Sequence, residues 1–343
     1  MARSTVYNSI VTDEKLLRVC DENKELLEEF KEYLQSVDRS PLTIINYESD
    51  INICFCYGLE YLKNKPFVKF NKRDIMKYQN YLVNSMDLSS NRVRRMKSAL
   101  SSMANFIETI LDDDYPDFRN IINKIPAPAK ESVREKTVLE DEEIEEVLKT
   151  LVKNKEYQKA CVLALAWASG SRKSELLRFK VPYFDDENIV FGSLYKTPEK
   201  IKTKGRGSKG KLLRRYVLIN KFKPYFDLWM EERKRLEIND FEELFIVKRK
   251  GKYQPMKVST LDSWGKKFSK MLDKDFYFHC MRHNFTTGLS QANIPASVIQ
   301  EIIGWSSLDM VNLYDDTEID DKLGKYFDED GIKEVENNSI SNL

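Results

Sequence analysis

Histidine, the side chain that titrates closest to neutral pH, occurs only twice among 343 residues, and both copies lie in the segment 279–283. In a helix, His279 and Arg282 lie three positions apart on one face, so their side chains can share one ligand. A histidine in the protein core beside a surface arginine is the alternative interpretation of this spacing. His283 lacks such a pairing, and we interpret it as a structural neighbour.

A second charged motif is Gly170-Ser171-Arg172-Lys173-Ser174-Glu175. It follows an apolar helical segment, which puts Arg172 near the N-terminus of the next helix. Backbone donors and the positive end of the helix dipole converge there, so the position suits an anion. An ordinary capping arginine is the alternative, because a G-x-R-x-x-E string alone is weak evidence.

Two aromatic residues follow an amphipathic segment near the end of the chain. Gly304 can end the helix over 294–303 in a left-handed cap, and Trp305 comes directly after it. Tyr314 lies nine residues beyond Trp305. A buried tryptophan after a helix usually belongs to the core, so this pair gains meaning only beside the other motifs.

The near-zero formal charge of +1 hides an uneven distribution of charge along the chain. Residues 196–215 carry nine basic side chains and one acidic side chain, a local net charge of +8. Residues 315–343 carry ten acidic side chains and three lysines, a net charge of −7, which leaves +8 on residues 1–314. A basic body with a concentrated basic cluster is typical of proteins that bind a phosphate backbone, although basic loops are common.

A further basic cluster lies where a helix dipole disfavours it. Its members occupy the first turns of the helix predicted over Asn91–Leu111, where acidic residues would be favoured. The cluster indicates either an anionic partner or a solvated face. Its members are Arg92, Arg94, Arg95 and Lys97.

These residues require a mainly α fold in two domains, which a chain of this length favours. Apolar residues at helical spacing predict four helices within residues 22–112, and Ser40-Pro41 suits the start of the second. Two segments, Asn188–Leu194 and Leu212–Ile219, predict a small antiparallel sheet in an otherwise helical second domain. The predicted divisions are an extension (1–21), a helical N-terminal domain (22–124), a linker (125–136), a mainly α second domain (137–316) and an acidic tail (317–343).

Composition argues against several classes of protein. The longest apolar run, Ala160–Ala168, has nine residues, whereas a membrane span needs ~20, and the first residues do not resemble a signal peptide. Five cysteines without a C-x-x-C pair and only two histidines make a metal site unexpected. We therefore expect a cytoplasmic protein without a bound metal.

Taken in order along the chain, the motifs resemble those of the tyrosine recombinase (phage integrase) family. That family carries G-x-R-x-x-E, a lysine on a β-hairpin, H-x-x-R, and G-H/W with a nucleophilic tyrosine nine residues later. The N-terminal segments SPLTIINYESDI and NRVRRMKSALSSMANF are also similar to its core-binding domain. The resemblance covers roughly residues 22–316.

The chain departs from many family members at Trp305, where they have histidine and Cre-like members have tryptophan. An indole donates one hydrogen bond but cannot relay a proton. The resemblance therefore implies that Trp305 supports the oxyanion and packs around Tyr314.

The hairpin is longer than in Xer-like members and offers several lysines. With a turn at residues 207–210, Lys204 would lie opposite Leu213, the register at which the family's lysine sits. A turn one residue earlier favours Lys202. We prefer Lys204 and keep Lys202 as the alternative.

The resemblance implies that Tyr314 attacks a DNA phosphodiester, forming a 3′-phosphotyrosyl bond and releasing a 5′-hydroxyl without metal, ATP or another cofactor. The implied catalytic residues are Arg172, Lys204 or Lys202, His279, Arg282, Trp305 and Tyr314, with Glu175 orienting a basic neighbour. The implied DNA contacts are Arg92, Arg94, Arg95, Lys97, Lys202, Arg206, Lys209 and Lys211.

The implied partners are a double-stranded recombination site and three further copies of the chain, in a homotetramer on two synapsed sites. An accessory directionality factor and nucleoid association also fit the resemblance, and the acidic tail would dock on a neighbouring subunit. A tyrosine-type topoisomerase and a DNA-binding regulator with an idle nucleophile are the rival interpretations.

Overall fold

The computed structural model describes residues 6–130, 137–203, 211–305, 307–308, 327–328 and 331–332. These residues fall into two compact units, one ending before residue 136 and one beginning there. Four of the residues predicted to act on DNA lie outside the described ranges: Lys204, Arg206, Lys209 and Tyr314.

The first unit is built from helices whose starts follow from capping residues. The Ser40 hydroxyl accepts a hydrogen bond from Thr43 N, and Pro41 occupies the first turn, as the sequence predicts. Asn71 forms a capping box with Asp74 at the start of a shorter helix. The helices are α1 (Val6–Ile10), α2 (Asp13–Arg18), α3 (Asp21–Ser36), α4 (Pro41–Tyr61), α5 (Lys72–Asn80), which runs into a π-helical turn (Tyr81–Ser85), and α6 (Ser90–Ile110).

The core of this unit lies between α3, α4 and α6. Phe30 of α3 is fully buried and lies 5.6 Å, ring centre to ring centre, from Phe106 of α6. The middle of α4 is buried on nearly all sides, which explains why its apolar residues do not follow a single helical stripe.

The second unit is organised around a helix that is buried over most of its length. Residues Ala160–Ser169 are all buried, so the longest apolar run of the sequence forms the centre of this unit. An all-apolar helix of this kind belongs in a core, where other helices cover it on several sides. The helices are α7 (Asp141–Lys153), α8 (Tyr157–Ser169), α9 (Lys173–Leu176), α10 (Ile219–Arg235), α11 (Val258–Leu272), α12 (Phe278–Gln291) and α13 (Ala296–Ile303).

The strands are shorter and more numerous than the sequence predicts. The three-stranded sheet has the order β1-β2-β5, and three two-stranded hairpins accompany it. The hairpin of β6 and β7 was not predicted, because its polar, lysine-rich residues do not show a buried alternation. The strands are β1 (Ile189–Val190), β2 (Leu194–Lys196), β3 (Ile201–Lys202), β4 (Leu212–Leu213), β5 (Tyr216–Leu218), β6 (Ile246–Arg249), β7 (Lys252–Pro255), β8 (Phe327–Asp328) and β9 (Gly331–Ile332).

The described part of the chain contains no helix that is both long and apolar enough to cross a membrane. The same residues bring no three histidine, cysteine or carboxylate side chains together in a way that could hold a metal ion.

Candidate active site

A left-handed glycine leads into the first motif. Gly170 ends α8 with φ at +54°, and a Cβ atom there would lie 2.6 Å from Cδ1 of Phe285. Glycine is therefore required both by backbone conformation and by space. The turn places Ser171 in the interior and Arg172 directly before α9.

The carboxylate of Glu175 fixes Arg172 in this position. Glu175 Oε1 accepts a hydrogen bond of 2.8 Å from Arg172 Nη1, and Oε2 accepts one of 3.0 Å from the Arg172 backbone N. The Glu175 side chain is fully buried, whereas 23% of the Arg172 side chain remains exposed. Burial opposes ionisation of Glu175, but the charge of Arg215 and the hydrogen bonds from Arg172 outweigh it and lower its pKa.

Helix α12 carries the second motif, and its Arg282 is fully buried. Arg282 Nη1 donates to the Gly170 carbonyl at 2.9 Å, and Nη2 donates to the Ile303 carbonyl at 2.8 Å. The guanidinium carbon lies 5.2 Å from the centre of the Trp305 ring. Arg282 therefore joins the end of α8, the end of α13 and Trp305.

His279 lies near the start of α12 and is half-buried. Burial, followed by the positive charges of Arg282 and Arg172, lowers its pKa from 6.5 to about 4. Its ring is perpendicular to that of His283, with ring centres 5.8 Å apart. At neutral pH this imidazole is therefore uncharged, and one of its ring nitrogens can accept a hydrogen bond.

The turn after α13 presents Trp305. Gly304 ends α13 in the left-handed region, with φ at +82°, as the sequence predicts. Trp305 is buried and belongs to a small apolar cluster with Phe285, Ile299 and Ile303. The indole therefore packs between α12 and α13 at the point where the chain continues toward Tyr314.

The register of the lysine hairpin differs from our expectation. Ile201 lies opposite Leu213, and Lys202 lies opposite Leu212, so the prediction that Lys204 faces Leu213 is wrong. The cause is an irregular connection after β2. Lys196 still pairs with Tyr216, and Ile201 pairs with Leu213, so four residues on one side of the hairpin, including Pro198, match two on the other.

Two hairpin lysines predicted to contact DNA are described. Lys202 is half-buried in β3. Lys211 is exposed, and its Nζ lies 3.3 Å from the Gly304 carbonyl oxygen and 3.5 Å from that of Trp305. Lys211 thus links the returning arm of the hairpin to the turn that carries Trp305.

The basic cluster of α6 differs from a simple surface patch. Arg92 and Arg95 both contact the buried carboxylate of Asp50, at 2.5 Å and 3.3 Å. Arg94 donates to the Pro128 carbonyl at 2.8 Å. Lys97 is buried and donates to the Gln79 side chain and the Ile125 carbonyl, and burial followed by the charge of Arg94 lowers its pKa. Lys97 therefore faces the interior, contrary to the expected role in binding DNA.

Sequence reasoning missed Arg215, a fully buried arginine at this site. It touches Glu175, Ser171 and the last turn of α13. A signal was present in the alternation of the segment Leu213–Val217, where Arg215 lies two residues from each of these apolar residues. In a strand, residues two apart face the same side, so Arg215 shares the inward-facing side with Val217.

Two family models match the chain. The model of the phage integrase family matches residues 137–319. The model described as the phage integrase N-terminal SAM-like domain matches residues 26–117. The first match alone covers more than half of the chain.

Individual proteins extend this similarity. The SPbeta prophage-derived recombinase-like protein YomM of Bacillus subtilis (strain 168) is 29% identical over 255 residues, which cover 74% of this chain and 73% of that protein. Tyrosine recombinase XerC of Psychromonas ingrahamii is 23% identical over 297 residues, covering 84% and 90%. The structure of the XerH site-specific recombinase bound to palindromic difH substrate, a post-cleavage complex, matches with a TM-score of 0.62 and 19% identity, covering 93% of this chain and 89% of that one. At this identity the structural match establishes the fold.

Proposed function

This chain belongs to the phage integrase family, and we propose that it is a tyrosine-type site-specific recombinase that cleaves and rejoins DNA. The relatives that support this activity are named tyrosine recombinases, and the matching structures include recombinases bound to DNA. The reaction proposed here proceeds through a 3′-phosphotyrosyl intermediate and uses no metal, ATP or other cofactor.

The observation that supports this proposal most is the clustering of three arginines around the turn between α8 and α9. Arg172 and Arg215 both contact Glu175, and Arg282 reaches the same turn through the Gly170 carbonyl. The Arg172 side chain is 23% exposed, so its guanidinium could bind an oxygen of a phosphodiester.

The proposed mechanism starts with attack by the Tyr314 oxygen on phosphorus. A phenol with a pKa of ~10 is mostly protonated at neutral pH, so the attack needs a proton acceptor. We assign this role to His279, whose pKa the negative charge of a bound phosphate would raise from its low value in the free chain. Arg172 and Arg282 would bind the non-bridging oxygens, whose charge grows in the transition state. Trp305 would support the same oxygens through its indole N–H.

The leaving group completes the proton balance. The bond between phosphorus and the 5′-oxygen breaks, and a hairpin lysine, Lys204 or Lys202, would donate a proton to that oxygen. The register of the described hairpin supports neither lysine over the other, because Ile201 occupies the position opposite Leu213. The phosphotyrosyl bond retains the energy of the broken ester, so a 5′-hydroxyl from another strand reverses the step.

The proposed partners follow from the same reaction. Strand exchange needs two double-stranded sites, and we propose that a homotetramer holds them, with an accessory factor setting direction. The accessible cations that we propose contact DNA are Arg92, Arg94 and Arg95 in α6, and Lys202 and Lys211 in the hairpin.

The experiment that tests the proposal is covalent trapping. DNA attached to the wild-type chain in expressing cells is sequenced to define the site, which is then rebuilt as a nicked substrate that cannot be religated. Wild-type protein should form a covalent adduct, whereas Tyr314→Phe should bind the same site and form none. The matched control is Tyr253→Phe, a tyrosine on the hairpin of β6 and β7, which should react normally. An adduct with Tyr314→Phe at the wild-type level would refute the assignment.

A further inference from the structure

Arg215 is the one fully buried arginine of the candidate site that the proposed mechanism does not use. It lies directly before β5, where its backbone N donates to Thr197 Oγ1 at 3.0 Å and its carbonyl accepts from Thr197 N at 3.0 Å. Its backbone is therefore fixed to the end of β2. Its side chain has no exposed surface in this arrangement, and its guanidinium contacts other protein groups.

Each nitrogen of the Arg215 guanidinium is directed at a different element. Nε donates to Ser171 Oγ at 3.3 Å, and Nη2 lies 3.4 Å from Glu175 Oε2. Nη1 donates to the carbonyls of Ile302 and Ile303, both at 3.2 Å. A planar guanidinium can reach these three elements together, whereas the single ammonium of a lysine cannot.

The contacts of Arg215 lead to two of the proposed catalytic residues. Through Glu175 they reach Arg172, which that carboxylate holds from both its backbone and its side chain. Through Ile303, whose carbonyl also accepts from Arg282, they reach the end of α13. Gly304 and Trp305 follow at once, so the last turn of α13 sets where the indole lies.

The charges in this network make the arrangement sensitive to Arg215. The carboxylate of Glu175 sits between Arg215 and Arg172, and the carbonyls at the end of α13 carry the negative end of its dipole. Without Arg215, Glu175 would be left with Arg172 as its only ion-pair partner in the described part of the chain. The Glu175 carboxylate could then rotate further toward the Arg172 guanidinium. This would draw Arg172 away from a bound phosphate.

We propose that Arg215 is a positioning residue of the recombinase site, setting Arg172 through Glu175 and Trp305 through the end of α13. The inference rests on the proposed function, because it concerns the geometry of phosphate binding in that reaction. Arg215 itself touches no reacting atom.

The test uses Arg215→Lys, which keeps the buried positive charge while removing the three-way contact. We expect the covalent adduct on the nicked substrate to form about 10-fold to 100-fold more slowly, the cost of displacing a catalytic group by about 1 Å. Binding to the site should stay within about threefold, because the surface cations are untouched.

The matched control is Arg233→Lys. Arg233 is also buried, and it donates to the carbonyls of Phe241, Glu243 and Leu244, remote from the site. It should lower the thermal midpoint as Arg215→Lys does, while cleavage per folded molecule stays at the wild-type level. A global structural role for Arg215 would make the two variants behave alike.

A substrate with sulfur in place of the bridging 5′-oxygen separates the two routes by which Arg215 could act. A thiolate leaves without protonation, so this substrate does not need a proton donor. It should restore cleavage by whichever variant, Lys202→Ala or Lys204→Ala, has lost that donor. Arg215→Lys should stay slow, because its defect lies in phosphate binding. Two results would overturn the inference: cleavage by Arg215→Lys as fast as by Arg233→Lys, or recovery of Arg215→Lys on the sulfur substrate. If the wild-type chain formed no adduct at all, the proposed function would be overturned, and the inference with it.

Discussion

At the scale of single residues, His279 is the candidate site residue whose environment shifts its pKa into a measurable range. Burial and two neighbouring arginines lower its pKa from 6.5 to about 4. We predict that nuclear magnetic resonance of the free protein shows one imidazole titrating near pH 4. Since the sequence has only two histidines, His283→Gln assigns the two signals, and a midpoint above 6 for His279 would contradict the prediction.

The same shift predicts how stability depends on pH. Above about pH 6.5 the imidazole is neutral in both the folded and the unfolded chain, so it adds no pH dependence. Between about 6.5 and 4 only the unfolded chain takes up the proton, so the free energy of unfolding falls as the pH falls. Below this window both states are protonated, and the loss is constant.

We therefore expect the free energy of unfolding to drop less between pH 7 and 4.5 in His279→Gln than in the wild type. The difference should be about 1–3 kcal/mol, since one pKa unit corresponds to about 1.4 kcal/mol and the side chain is only partly buried. Urea unfolding at the two pH values measures it. Carboxylates elsewhere titrate equally in both proteins, and equal drops would show that His279 has an ordinary pKa.

Most of the proposed residues could be found from the sequence because they sit in short strings with fixed spacing. His279 and Arg282 lie three apart in a helix, and Gly170 is two residues before Arg172, so local geometry already relates them. Arg215 could not be found in this way. The partners of its side chain lie 40 to 88 positions away along the chain, and its burial contradicts the average behaviour of arginine.

At the scale of elements, the turn from α13 to Trp305 depends on Gly304. Alanine there would need φ near +82°, and its Cβ would lie 2.0 Å from Cδ1 of Leu213. The leucine can rotate away, so the lasting cost is the backbone conformation, about 1–2 kcal/mol. We predict that Gly304→Ala lowers stability by this amount and slows covalent adduct formation at least about tenfold by displacing Trp305.

Gly288 of α12 provides the control for this substitution. A Cβ atom at Gly288 meets nothing within 4 Å, so Gly288→Ala should leave cleavage unchanged and stabilise the helix by about 0.5–1 kcal/mol. Thermal unfolding and the adduct assay are run on both variants. Normal cleavage by Gly304→Ala would show that the turn tolerates a shift of the indole.

Helices α4 and α6 are joined by one buried carboxylate. Asp50 is fully buried and contacts Arg92 and Arg95, whose side chains are 25% and 52% exposed. Because both arginines can reach water, Asp50→Asn should cost about 1–3 kcal/mol of stability, less than a fully buried pair. It should also weaken binding to DNA, since the two guanidiniums lose the partner that orients them.

A surface ion pair of α3 supplies the comparison. Glu28 contacts Lys31 at 3.0 Å with its side chain 66% exposed, so Glu28→Gln should change stability by no more than about 0.5 kcal/mol. Urea unfolding and gel-shift titration measure both effects. Unchanged DNA binding by Asp50→Asn would mean that Arg92 and Arg95 act only within the fold.

Helices were predicted better than strands for a physical reason. Helix starts are local events, fixed by residues such as Ser40 and Pro41. The pairing of β3 with β4 depends on how many residues the irregular connection after β2 absorbs, and no local signal encodes that number. The error in the position of Lys204 follows directly from this difference.

At the scale of the whole molecule, the charge divides into a basic body and an acidic end. The segment 327–343 carries five acidic side chains and one lysine, a net charge of −4. Near a polyanion these acids oppose binding, and salt screens them. We propose that the tail contacts a neighbouring subunit, since a basic protein surface suits its charge.

We therefore predict that truncation after Tyr326 leaves the affinity for a single half-site unchanged or a few-fold tighter at low salt, and that it abolishes tetramers on paired sites. Analytical ultracentrifugation of the DNA complexes measures assembly. A full-length variant with the five acids changed to amides tests whether the charge of the tail or its apolar residues hold the subunits together. If the charge does so, this variant should lose tetramers as the truncated protein does. If apolar residues of the tail do so, it should retain tetramers. Intact tetramers in the truncated protein would exclude the segment from assembly altogether.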